Sequence, residues 1–215
     1  MPDHSGDPLD VQMQRELEKL TAINPGMNRF QWDLRYTPVT QIPGYHAPEP
    51  EGDRDTLVDS PTVVPGTYTV VLDYGGQKTQ ANFTVTLDPR LKATQQDLEA
   101  ELTFCRQIEA DLNELDKEID QAIALRDKLQ KSGGSADAVK GLDRAINDTV
   151  QMNNYASEED LMHEVKTRAL LAFLASDVEW AYAKPTAAQY QVFQTLEQQT
   201  KDRQQELATA IAAAK

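Results

Sequence analysis

Two periodicities divide the chain. From Asn28 to Tyr36 the apolar residues fall at 30, 32, 34 and 36 with polar residues between them, the pattern of a strand with one buried face. A second alternation runs from Thr67 to Tyr74 and puts Tyr68, Val70, Leu72 and Tyr74 on one side. Gly75-Gly76 follows, and two adjacent glycines supply the positive φ angles of a tight hairpin turn. The return strand alternates through Thr79, Ala81, Phe83, Val85 and Leu87, and Pro65-Gly66 punctuates the entry to the hairpin. A fourth, short strand is expected around Thr62 to Val64. Residues 26–90 therefore read as a small antiparallel β module, with Phe30, Trp32, Tyr36, Tyr68 and Tyr74 on its inner faces. Core packing explains that aromatic stripe better than a carbohydrate-stacking platform.

Two segments of the first half stand apart. Residues 37–65 form a long loop with six prolines and the acidic run Glu49-Pro50-Glu51-Gly52-Asp53-Arg54-Asp55. Ahead of the β module, residues 1–25 hold Leu9, Met13, Leu17 and Leu20 at helical spacing, a short helix that ends before Asn24-Pro25-Gly26.

After Asp88-Pro89-Arg90 the period turns helical, and residues 91–215 read as an antiparallel helical bundle. Thr94 and Asp97 frame a capping box, and apolar positions 98, 102, 105, 108, 112, 115, 119 and 122 form a near-heptad seam. This long helix is expected over about 94–131, stopping at Ser132-Gly133-Gly134. Shorter helices are expected over about 136–152, 158–184 and 186–213. Ser157-Glu158-Glu159-Asp160 starts the third, Pro185 breaks it, and Thr186 with Gln189 caps the fourth. The third helix is apolar on several faces and is expected to be the most buried. The fold class is α+β in two modules.

Charge removes several functions. The 215 residues carry 35 acidic and 21 basic side chains, a formal net charge of −14. That balance excludes a general nucleic-acid binder, which needs a basic footprint, and a polybasic lipid-docking surface. The longest apolar run, Ala169 to Ala175, is far too short to span a bilayer. Cys105 is the single cysteine and lies on the helical seam, where it reads as a small buried hydrophobe. His4, His46 and His163 show no ligand spacing. Glu49, Glu51, Asp53 and Asp55 have the oxygen chemistry of a calcium site but not its loop pattern, so a solvated acidic loop is expected. No phosphate loop, nucleophile elbow or zinc-protease motif occurs. Neither a catalytic residue, a metal site nor a cofactor is therefore assigned.

Several stretches together resemble one family. Gly26-Met27-Asn28-Arg29-Phe30-Gln31-Trp32-Asp33-Leu34-Arg35-Tyr36 is similar to a signature near the C-terminus of bacterial sortilin-like (VPS10-type) β-propeller proteins, a family of glycosyl hydrolases or exo-sialidases. Val64-Pro65-Gly66-Thr67-Tyr68-Thr69-Val70 and Thr84-Val85-Thr86-Leu87-Asp88-Pro89-Arg90 resemble the segments that follow there. Asn153-Asn154-Tyr155 and Pro185-Thr186-Ala187 look like points in the family's helical tail. The resemblance implies an immunoglobulin-like β-sandwich followed by helices. The chain has no Ser-x-Asp-x-Gly-x-Thr-Trp box, the mark of the propeller blades. No catalytic residue can be carried over.

The expected function is accordingly a non-catalytic interaction or scaffold module, an accessory subunit of a larger assembly, one form of which sits at a membrane surface. The alternative is the C-terminal accessory region of a propeller glycosyl hydrolase. Trp180, Tyr182, Glu49, Glu51, Asp53 and Asp55 are the candidate partner contacts. With no signal peptide after Met1, the expected location is cytoplasmic if Met1 is the native start, and extracytoplasmic if the chain is cut from a secreted precursor.

Overall fold

A computed structural model describes residues 26–40, 42–45, 60–152 and 164–215. They form an α+β structure, a two-stranded antiparallel sheet followed by four helices. Strands β1 (Gly66–Tyr74) and β2 (Gln77–Val85) pair in the register Tyr74↔Gln77 to Gly66↔Val85. The turn is made by Gly75 and Gly76 at φ 58° and 80°, angles that cost glycine little and define a primed two-residue hairpin.

The helices are α1 (Gln95–Ser132), α2 (Ala136–Thr149), α3 (Thr167–Glu179) and α4 (Ala187–Ala213). Local chemistry sets their ends. Thr94 and Asp97 close a capping box at α1, and Thr186 with Gln189 does the same at α4. Gly133, in the left-handed region at φ 68°, ends α1. Tyr182 at φ 43° and Pro185 lie between α3 and α4, so helix stops at Glu179 and not at 184 as the spacing suggests. Residues 158–163 of the expected third helix lie outside the described residues, and the helix seen there begins at Thr167. The expected N-terminal helix of residues 1–25 also lies outside them.

One hydrophobic core joins all four helices. The seam of α1 supplies Cys105, Ile108, Leu112, Leu115, Ile119 and Ala122. Facing them are Leu142 and Ile146 of α2, Leu171 and Val178 of α3, and Phe193 and Leu207 of α4. Inside this core Arg168 of α3 makes a bidentate pair with Asp116 of α1, with both N···O distances at 3.0 Å and both side chains sealed from water. Such a pair is held by geometry, since a lone buried charge would be severely penalised.

The proline-rich stretch contributes to the same core. Val39, Ile42 and Tyr45 are buried against the helices, and Tyr45 lays its ring 4.4 Å from the Arg168 guanidinium carbon. Apolar residues at every third position suit an extended chain that turns one row of side chains inward. The Thr40 N–H donates to Asn113 Oδ1 at 2.8 Å, and Arg106 lies over the Tyr36 ring. This stretch of the expected loop belongs to the helical core.

The β reading needs correction. Residues 28–36 are not a strand: they make one isolated bridge, Arg35 to Thr62, and Leu34 adopts φ 67°. A left-handed residue breaks the alternation, and the Trp32 Nε1–H folds back onto the Arg35 carbonyl at 2.9 Å. Thr62 to Val64 likewise supplies only that bridge. Trp32 is half-buried, edge-on to Tyr68 and Phe83 at 5.8 and 6.0 Å. Its loss should therefore cost less than the roughly 3–5 kcal/mol of a fully buried aromatic. Phe30 and Tyr74, expected inside, are exposed.

Burial of Val39, Ile42 and Tyr45 has a measurable consequence. Ile42→Ala should lower stability by about 2–4 kcal/mol in urea unfolding followed by helical circular dichroism. An unchanged midpoint would show that this stretch does not pack on the helices.

Candidate functional site

The helical period of α1 brings a second kind of residue to the inner side. Glu101, Glu109 and Asp116 each neighbour a seam position in sequence, and all three are buried. Asp116 has Arg168. Glu101 and Glu109 flank Cys105 one turn to either side, and Glu179 at the end of α3 joins them. Glu179 Oε1 accepts from Arg35 Nη1 at 2.7 Å and from Thr62 Oγ1 at 3.2 Å. Arg35 also donates to the Ser60 carbonyl, so one guanidinium fastens the 60–62 stretch to α3.

Burial governs the protonation of this cluster. Desolvation pushes the Glu101 carboxyl up to about 7, against a bond from the Ala183 N–H that favours its ionised form, and Glu179 adds repulsion. Desolvation likewise lifts Glu109 to about 7, while the positive charge of Arg106 opposes it. The Cys105 thiol is pushed to about 12, first by desolvation and then by Glu101, Glu109 and Glu179. A thiol so placed is no nucleophile near neutral pH.

Beside the cluster runs a groove of about 620 Å³. Its walls are the 61–65 stretch and the chain leaving β2 through Leu91; Leu98, Glu101 and Leu102 of α1 form another side, and Leu34 and Tyr182 also line it. The lining is mostly apolar. Asp88 and Arg90 also border it, with Arg90 donating to both carboxylate oxygens of Asp88. One oxygen each of Glu101, Glu109 and Glu179 has no hydrogen-bond partner. Among the described residues no set of three His, Cys, Asp or Glu side chains is arranged to hold a metal ion.

The candidate contacts from the sequence fall in different places. Trp180 is 70% exposed and Tyr182 42% exposed, and of the two only Tyr182 borders the groove. Glu49, Glu51, Asp53 and Asp55 lie outside the described residues. Glu101, Glu109 and Glu179 were not among the candidates. Their signal was available only as acids one position away from an apolar seam, where charged residues ordinarily stay solvated. No family model matches the chain, and neither a curated protein nor a solved structure matches it at a significant level.

The raised carboxyls make stability depend on pH in a definite direction. Below pH 4.5 Glu101 and Glu109 are protonated in both folded and unfolded chains, whereas between 4.5 and about 7 the folded protein keeps protons that the unfolded chain has lost. Their contribution to stability is therefore full in acid and declines as pH rises through that window, by an amount on the order of 1–3 kcal/mol for each group. In urea titrations, Glu101→Gln with Glu109→Gln should flatten the decline; an equally steep decline in the double variant would remove these groups as its cause. Cys105 should resist a thiol reagent in the native protein and react once the chain is unfolded, and rapid native labelling would contradict its burial.

Proposed function

We propose that the chain is a non-catalytic interaction module, an accessory subunit whose partner covers the β hairpin. The observation that carries this reading is the outer half of the hairpin. Trp32 packs on the face formed by Tyr68 and Phe83, but on the same face Leu72 and Tyr74 are 49% and 63% exposed. Val70 and, on the opposite face, Val71 are more than half exposed as well. Among the described residues neither outer edge of the sheet is paired. A two-stranded hairpin is marginal by itself in water, and open edges recruit further strands. With the partner in place, the hairpin supplies two strands of a larger sandwich, the immunoglobulin-like form that the sequence resemblance implies.

Trp180, 70% exposed at the end of α3, offers a partner a further aromatic contact. No helix among the described residues is long and apolar enough to cross a membrane. A second form of the reading makes the cover a propeller of the sortilin-like kind, in the same polypeptide or another. It is favoured by Trp32 of the Asn28–Tyr36 signature standing against the hairpin. A reading frame that continues into blade repeats would select this form.

Site-specific photo-crosslinking in the native host tests the shared claim. A crosslinker replacing Leu72 should give a discrete higher-mass adduct, whereas one replacing Lys140, exposed on α2, should not. Equal adducts from both positions, or none from Leu72, would contradict the proposal.

A further inference from the structure

The groove and the hairpin tip are different surfaces, and the groove has its own charge problem. Arg35 is engaged by Glu179 and the Ser60 carbonyl, and Arg90 is engaged by Asp88. Glu101 is left with its Ala183 bond and one unpartnered oxygen, at 6% residue exposure, on a side of a mostly apolar groove. A buried carboxyl in that condition is costly unless something completes it. A metal ion lacks its ligands among the described residues, whereas an ammonium or guanidinium needs only the one carboxylate. The groove is also bordered by two lengths of chain, 61–65 and 85–88, an arrangement that suits an extended segment lying alongside them.

We propose that the groove binds an extended apolar segment of a protein partner, with one lysine or arginine of that segment set against the Glu101 carboxylate. This rests on the interaction reading above and names what a partner must carry at this second surface. Among the described residues, the charged and titratable groups around Glu101 are Asp97 and Cys105 one turn to either side on its own helix, Glu179 on α3 with Arg35 upon it, Tyr182 and Lys184 beyond α3, and Asp88 with Arg90 at the exit of β2; Asp97 is held ionised by the Thr94 cap. Glu101 is therefore the group there that an incoming cation can ionise. Because its carboxyl is raised to about 7, the cation must displace a proton at lower pH, and affinity increases as pH rises through that value.

The test is selection of a displayed random peptide library on the intact protein, with counter-selection on Glu101→Gln. Recovered peptides should carry Lys or Arg among apolar residues. By fluorescence polarisation they should bind Glu101→Gln at least about tenfold more weakly, the loss expected with one charge-assisted bond. They should also bind more tightly at about pH 8 than at about pH 6. Leu91→Trp, a substitution at an exposed position on the groove wall, should weaken them too and keeps the test valid if Glu101→Gln is unstable. Leu72→Thr, on the hairpin, should leave them unchanged. No enrichment, enriched peptides without a basic residue, or equal binding to Glu101→Gln and Leu91→Trp would each overturn the proposal. Adducts from Leu72 that persist alongside such a failure would leave the hairpin reading standing.

Discussion

The bidentate bond between Arg168 and Asp116 joins α3 to α1 deep in the helical core, and the Tyr45 ring lies over the same guanidinium. Three parts of the chain distant in sequence therefore meet on one charged group. Once Tyr45 is fixed, Ile42 and Val39 reach the core, and the residues before them run back along α1 past Asn113 and Arg106. That path carries Arg35 to Glu179, and Arg35 in turn holds Ser60, beside which Thr62 reaches the same carboxylate. The wall of the groove and the base of the hairpin hang from this sequence of contacts. A hydrophobic substitute could fill the volume of the central pair, but a cation with a fixed fork and a stacked ring also specifies direction.

Net charge takes on a different meaning in this setting. A chain at −14 is expected to keep its acids in water, yet Glu101, Glu109, Asp116 and Glu179 lie inside. Asp116 and Glu179 are matched by arginines, one each. Glu101 and Glu109 are accommodated by holding their protons more tightly, because desolvation outweighs what favours their ionised forms, the Ala183 N–H at Glu101 and the charge of Arg106 at Glu109. Acid here contributes internal architecture as well as solubility.

Much of the helical half was legible because its rules are local. Capping at Thr94 and Thr186, the stop at Gly133 and the seam through Cys105 each follow from a few neighbouring residues. The Gly75-Gly76 turn was legible for the same reason. The period-two pattern of 28–36 misled because Leu34 takes a left-handed conformation, which no alternation records. Val39, Ile42 and Tyr45 read as loop because proline-rich chain has no interior period in the usual helix and strand templates. The buried glutamates were hidden because their cost is met by tertiary partners and by protonation, and neither is visible from spacing.

The helical core clamps Val39, Ile42 and Tyr45 and carries a hairpin left uncovered. Amide hydrogen exchange of the free protein measures this contrast most directly. The hydrogen-bonded amides of Tyr36, Thr40 and Tyr45 and those in the middle of α1 should exchange slowly and together, while the outer part of the Gly66–Val85 hairpin exchanges far faster. A hairpin protected as strongly as α1 would mean that it is already covered, and would contradict the account.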